Sequence, residues 1–182
     1  MRVAGLDLSL VRAGIAILQD GRPAKITSVG HASVSGASYE MRSRRITSQC
    51  QSVLRQLDGP PLDLAVIEDQ LAHGPMLPSA LDRSALWWGV YSALLQKHVP
   101  VVVVNPMTLK VWVTGKGTAS KTDMLDTVRG WYRQPVTNHD EADAVGLATV
   151  GAYHAGDPLP FTVKDRHTAI ATTKITWPEV AR

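Results

Sequence analysis

The chain has 182 residues, enough for one domain with a sizeable core, and its 19 Lys and Arg against 16 Asp and Glu leave a net charge of +3. That balance permits nucleic acid as a partner without requiring it. A single cysteine, Cys50, excludes an internal disulfide and a thiolate zinc cluster. No apolar run reaches the roughly 18 residues that would span a bilayer. With no signal-like segment before the first apolar run, a cytoplasmic protein is expected.

The chain opens on two short apolar runs, Val3 to Ser9 and Gly14 to Leu18, joined by a tight turn. The first carries one carboxylate, Asp7. Gly21-Arg22-Pro23 reads as a turn, and Ala24 to Val34 alternates loosely as a third strand, which predicts an antiparallel meander. From Ser38 to Leu57 the period changes: Ile46, Cys50, Val53, Leu54 and Leu57 recur at helical spacing, with Arg42, Arg44, Arg45 and Arg55 on a solvated face. Leu62 to Glu68 is a fourth apolar strand that again ends in an acid. Pro78 to Lys97 is a helix with apolar residues on more than one side, among them Leu81, Trp87, Trp88, Tyr91 and Leu95. Such a helix covers its own sheet and offers a second face to a two-fold partner.

Val99 to Asn105 is nearly continuous valine, as expected of a strand covered on both faces. A helical turn from Pro106, a loop over Thr114–Lys121, a helix over Thr122–Tyr132 and a last helix from about Asn138 to His154 follow. Residues 1–157 form the predicted domain. Residues 158–182 lack a strong period and read as a disordered or strand-like C-terminal extension.

Acids recur where burial is expected. Asp7 ends the first strand and Glu68 the fourth. Asp140 and Asp143 lie three apart on one face of the last helix, in a stretch with small residues at Ala144, Gly146 and Ala148. Helix-end capping accounts for Asp140 or Glu141 but not for Asp143, which falls in the core-facing run. Four carboxylates at one site repel unless cations join them, and oxygen-only ligands select Mg²⁺, with Mn²⁺ as a substitute. Two such ions about 4 Å apart suit in-line displacement at a phosphodiester. Asp69 and Glu141 are extra acids read as solvent-facing, and His139 reads as a surface histidine. Lys110, Lys116 and Lys121 surround a glycine-containing loop that can approach a phosphate backbone.

The βββαβαβα order with acids at these places resembles the ribonuclease H-like fold: a central mixed five-stranded sheet, its first three strands antiparallel, flanked by helices in an α/β architecture. Within that fold the chain resembles the RuvC family of crossover junction endonucleases and admits a phage-type member. The resemblance rests on Gly5-Leu6-Asp7-Leu8-Ser9 with Gly14, on Val66-Ile67-Glu68, on Asp140 to Ala148, and on Asn105-Pro106 followed by Lys110, Gly115-Lys116-Gly117 and Lys121. It spans roughly residues 1–155. It implies a homodimeric, metal-dependent DNA endonuclease resolving Holliday junctions by paired nicks. The catalytic, metal-holding role falls on Asp7, Glu68, Asp140 and Asp143, and DNA contact on Lys110 and Lys121. One departure stands out: Leu71 lies three residues past Glu68, where the family pattern often has an aromatic that could stack on opened bases. Cutting of other branched DNA is therefore left open, as is any helicase partner.

Rival readings are a YqgF-type RNA-processing nuclease, a non-catalytic DNA-binding module and a sugar kinase of the actin-like class. The last needs two domains of this kind, and 182 residues cannot supply both. Carboxylates in the groove argue against a purely electrostatic DNA binder.

Overall fold

The computed structural model describes residues 1–33, 35–70, 78–133 and 135–178. Strands β1 (Arg2–Asp7), β2 (Ala13–Gln19) and β3 (Arg22–Val29) form the expected antiparallel meander. Strands β4 (Leu64–Glu68) and β5 (Val101–Val104) run parallel to β1, giving the sheet order β3-β2-β1-β4-β5. The β2–β3 link is tighter than the sequence suggests. Asp20 and Gly21 both take positive φ (51° and 72°), a two-residue hairpin, so β3 starts at Arg22 and the predicted turn residues Arg22 and Pro23 are already in the strand. Pro23 is tolerated because β3 is an edge strand. The third strand also ends early, at Val29 rather than Val34, and Val34 lies outside the described residues.

Period-2 alternation sorts the strand residues onto two faces. Val3, Leu64, Val66, Val102 and Val104 meet the helix α5 (His139–His154), with α3 (Pro106–Thr114) and α4 (Lys121–Trp131) alongside. Ala4, Leu6, Ile15, Ile17 and Ile67 meet α1 (Tyr39–Gln56) and α2 (Pro78–Gln96). Helix α5 lies against the sheet with almost no gap. A Cβ on Gly5 would overlap the Ala144 carbonyl oxygen, and one on Gly14 would overlap the Asp140 carbonyl oxygen.

Side chains cap the helix starts. Ser38 accepts from the Met41 amide, Asn105 from Met107, Ser120 and Asp123 form a reciprocal capping box, and Asn138 accepts from Glu141. The predicted helical turn at Pro106 is a full nine-residue helix, because Leu109, Trp112 and Val113 bury one side of it.

The tail differs most from expectation. It is neither strand-like nor irregular throughout: Asp165–Thr173 forms helix α6, which buries His167 and Ala171. The fully buried Trp112 ring collects Phe161 at 5.9 Å and His167 at 4.8 Å between centroids. Nearby, Trp177 stacks on His154 at 3.8 Å. Contact with a preformed aromatic surface holds this helix, which is why its own sequence shows so little period. Among the described residues no helix is long and apolar enough to cross a membrane.

Candidate active site

Two parallel strands deliver the first two acids. Leu6 pairs with Ile67 in register, so Asp7 and Glu68, the next residue on each strand, sit side by side at the C-terminal ends of β1 and β4. By alternation Asp7 shares the face of Val3 and Gly5, and Glu68 that of Leu64 and Val66, so both point toward α5. The missing side chains at Gly5 and Gly14 let α5 approach, which brings Asp140 and Asp143 from its first turns over the same strand ends.

The charges of Asp140 and Asp143 reach Asp7, and those of Asp7 and Asp143 reach Glu68. Burial raises the Asp7 proton affinity most, followed by the charges of Asp143 and Asp140. Glu68 is pushed up further, first by burial, then by Asp7 and Asp143, and it shares a side-chain hydrogen bond with Asp7. As a pair they titrate together. Asp143 is raised to about 6, mainly by burial, against the opposing charges of Lys121, Lys110 and His139. Burial and like charge thus both raise the proton affinity of this site.

Lysines from the rim complete the field. Lys121, at the start of α4, acts on Asp7 and Asp143, and Lys110 on α3 acts on Glu68 and Asp143. Lys116 is exposed in the α3–α4 loop, and the acid whose proton affinity its charge lowers is Asp123, none of the four site acids. Leu71 lies outside the described residues. His139 ties α5 to α4 through a 3.1 Å hydrogen bond between its Nδ1 and the Lys121 carbonyl.

Two features escaped the sequence reading. Glu141 is not solvent-facing. It is buried and accepts hydrogen bonds from the Thr137 amide and hydroxyl, both at 2.7 Å, and from Ser28 at 3.2 Å, so it latches the α5 start to β3. A Glu three residues after an Asn cap was the available signal, but only the fold shows that β3 supplies a donor. Arg12, in the β1–β2 turn, forms an ion pair with Asp140. No local pattern announces a contact across that sequence distance.

The donor set is carboxylate oxygen only, which fits hard divalent cations. Among the described residues, no three acid, histidine or cysteine side chains are yet drawn close enough to form a ligand set.

This topology, with acids at adjacent parallel strand ends faced by a carboxylate-bearing helix, is a ribonuclease H-like fold. Solved relatives agree. Thermus thermophilus RuvC in complex with Holliday junction substrate matches with a TM-score of 0.65 and 25% identity, over 85% of this chain and 94% of that one. The yeast mitochondrial Holliday junction resolvase Ydc2 shares the fold at a TM-score of 0.55 and 11% identity, over 95% and 81%. In sequence, the crossover junction endodeoxyribonuclease RuvC of Paenarthrobacter aurescens (strain TC1) is 32% identical over 165 residues, covering 87% of this chain and 85% of the relative. The Thermomicrobium roseum protein of the same description is 30% identical over 150 residues, 81% and 90%. The chain belongs to the RuvC family of crossover junction endodeoxyribonucleases. No family model matches it. The phage-type variety admitted by the sequence finds no support in these relatives.

Proposed function

We propose that this chain resolves Holliday junctions by paired symmetric nicks, hydrolysing phosphodiesters at Asp7, Glu68, Asp140 and Asp143. The observation that carries this reading is the placement of Asp7 and Glu68 on adjacent parallel strand ends, facing the helix that bears Asp140 and Asp143, in a RuvC-family chain. Two divalent ions, Mg²⁺ or Mn²⁺, would supply a nucleophilic water and stabilise the leaving oxygen. The chain's own part is to hold and orient. Asp7 and Glu68 give up their protons as ligands, on rigid strand ends. Asp140 and Asp143 close from α5, whose start Glu141 anchors. Lys110 and Lys121 hold the phosphate backbone over the acids, with Lys116 contacting it further out on the loop.

A homodimer is part of the proposal. Helix α2 buries Leu86, Val90 and Leu94 against the sheet, while Leu81, Trp88 and Leu95 remain 54%, 60% and 49% exposed on its other side. Trp88 meets Trp87 edge-on at 4.9 Å and Tyr91 at 5.6 Å, an aromatic platform suited to an isologous interface. The nuclease unit is assigned to residues 1–157, with 158–182 as an extension packed on it, and the location to the cytoplasm.

The test is cleavage of a labelled four-way junction beside matched fork, flap and duplex, with Mg²⁺, Mn²⁺ or EDTA. Paired nicks that need metal are expected, with Asp7→Asn folded, DNA-binding and inactive, having lost several kcal/mol of transition-state stabilisation. Cleavage retained by Asp7→Asn rejects the assignment. Comparable cutting of forks and flaps ties broad selectivity to Leu71.

A further inference from the structure

Asp140 already faces a cation, and the cation belongs to the protein. Arg12 Nε donates to Asp140 Oδ2 from the turn between β1 and β2. That turn is held firmly. Ser9 Oγ accepts from the Val11 and Arg12 amides at 3.3 and 3.4 Å. Behind it, the fully buried Gln49 on α1 donates to the Ser9 and Val29 carbonyls at 2.8 and 2.9 Å. The His31 amide donates to the Leu10 carbonyl at 3.0 Å, and a Cβ on Gly30 would overlap the Val11 carbonyl oxygen. The backbone under Arg12 is thus clamped by α1 and by the end of β3. Its side chain is not: it is 53% exposed, against 21% for Asp140.

We propose that Arg12 is a positioning residue that stands in for a divalent ion on Asp140 in the metal-free protein and turns to a DNA phosphate once the ion binds. An exposed guanidinium–carboxylate pair is weak, so a divalent ion shared among several carboxylates displaces it. The freed guanidinium matches a phosphate in a two-point fork, and the clamped turn keeps it within reach of a strand lying across the acids. Metal and DNA binding are then linked, because the ion frees Arg12 for DNA and DNA draws Arg12 away from Asp140 for the ion. The inference rests on the metal-dependent reading of the four acids.

Calorimetric Mn²⁺ titration of the full chain without DNA, followed by four-way-junction binding in Ca²⁺, tests it with no cleavage readout. Arg12→Ala is expected to bind Mn²⁺ about two- to fivefold more tightly than wild type. In an Asp140→Asn background the same substitution should change nothing, since its effect passes through Asp140. In Ca²⁺, Arg12→Ala should bind the junction more weakly, with a salt slope lower by about one. Unchanged or weaker Mn²⁺ binding by Arg12→Ala overturns the proposal, as does an effect that persists beside Asp140→Asn or an unchanged junction affinity. Failure of the underlying metal reading looks different: wild type itself takes up no Mn²⁺.

Discussion

Asp7 and Lys121 show how single side chains divide the work at the sheet end. Asp7 is half-buried among like charges, and burial with those charges raises its proton affinity, whereas Lys121 is exposed and acts through its field. A lysine of that kind contributes a phosphate contact rather than a structural one. Lys121→Ala should therefore weaken junction binding at low salt and reduce the slope of log affinity against log salt by about one, with thermal stability unchanged. An unchanged slope removes Lys121 from the interface. At this scale Asp7, Glu68 and Asp143 were legible as charges in apolar runs, and Asp140 as a first-turn acid of α5. Arg12 and Glu141 were not, because their partners, Asp140 and the Ser28 hydroxyl, come from distant segments that only folding brings near.

At the scale of elements, the site depends on how closely α5 approaches β1 and β2. Gly14 pairs with Asp7 across the meander and faces the Asp140 carbonyl. Gly14→Ala puts a methyl group against backbone that cannot yield locally, so α5 must shift. We expect a loss of more than about 2 kcal/mol in chemical denaturation, together with much reduced cleavage although every acid is intact. Gly130, on α4 with nothing within 4 Å of an added Cβ, is the control. Gly130→Ala should be neutral or gain about 0.5–1 kcal/mol from helix propensity. Equal effects at the two glycines would show that α5 does not depend on this contact. Helices α1, α2, α4 and α5 were legible within a residue or two. Helix α6 was not, since its stability comes from Trp112 and Phe161 rather than from its own pattern.

For the whole molecule, buried acids make stability depend on pH and on metal. Asp7, Glu68 and Asp143 all bind protons more tightly folded than unfolded. Their stabilising contribution is complete below the unfolded carboxylate range and is lost as pH rises through the raised values. Buried His167, lowered to about 4, has the opposite sign: its contribution is full above the ordinary histidine range and is lost on acidification. Above the ordinary histidine range the His167 contribution is complete, and the N-terminal amine, raised by its hydrogen bond to Asp20, acts in the same direction as the acids. In EDTA the melting temperature should therefore fall between about pH 6.5 and 8, and saturating Mg²⁺ should remove that fall by ligating the deprotonated acids. A melting temperature that rises over this window in EDTA would reject the shared-proton account. The exposed α2 face makes a second prediction at this scale. If α2 forms the proposed dimer interface, Trp88→Glu should sediment as a folded monomer in analytical ultracentrifugation where wild type sediments as a dimer, and should give uncoordinated single nicks in place of the proposed paired ones. A Trp88→Glu protein that sediments as wild type removes α2 from the interface.

By itself, the sequence determined the order of strands and helices as far as α5, the cover on both faces of the fifth strand, and which elements carry Asp7, Glu68, Asp140 and Asp143. Period and composition are local properties, and a charge in an apolar run is conspicuous wherever the run ends up. Only the tertiary structure decided that Asp7 and Glu68 lie on adjacent strand ends facing α5, that Glu141 turns inward, that Arg12 reaches Asp140 and that the tail folds onto Trp112. These are relations between segments far apart in the chain. They are set by strand register, by the absence of side chains at Gly5 and Gly14, and by surfaces that exist only once the core has assembled.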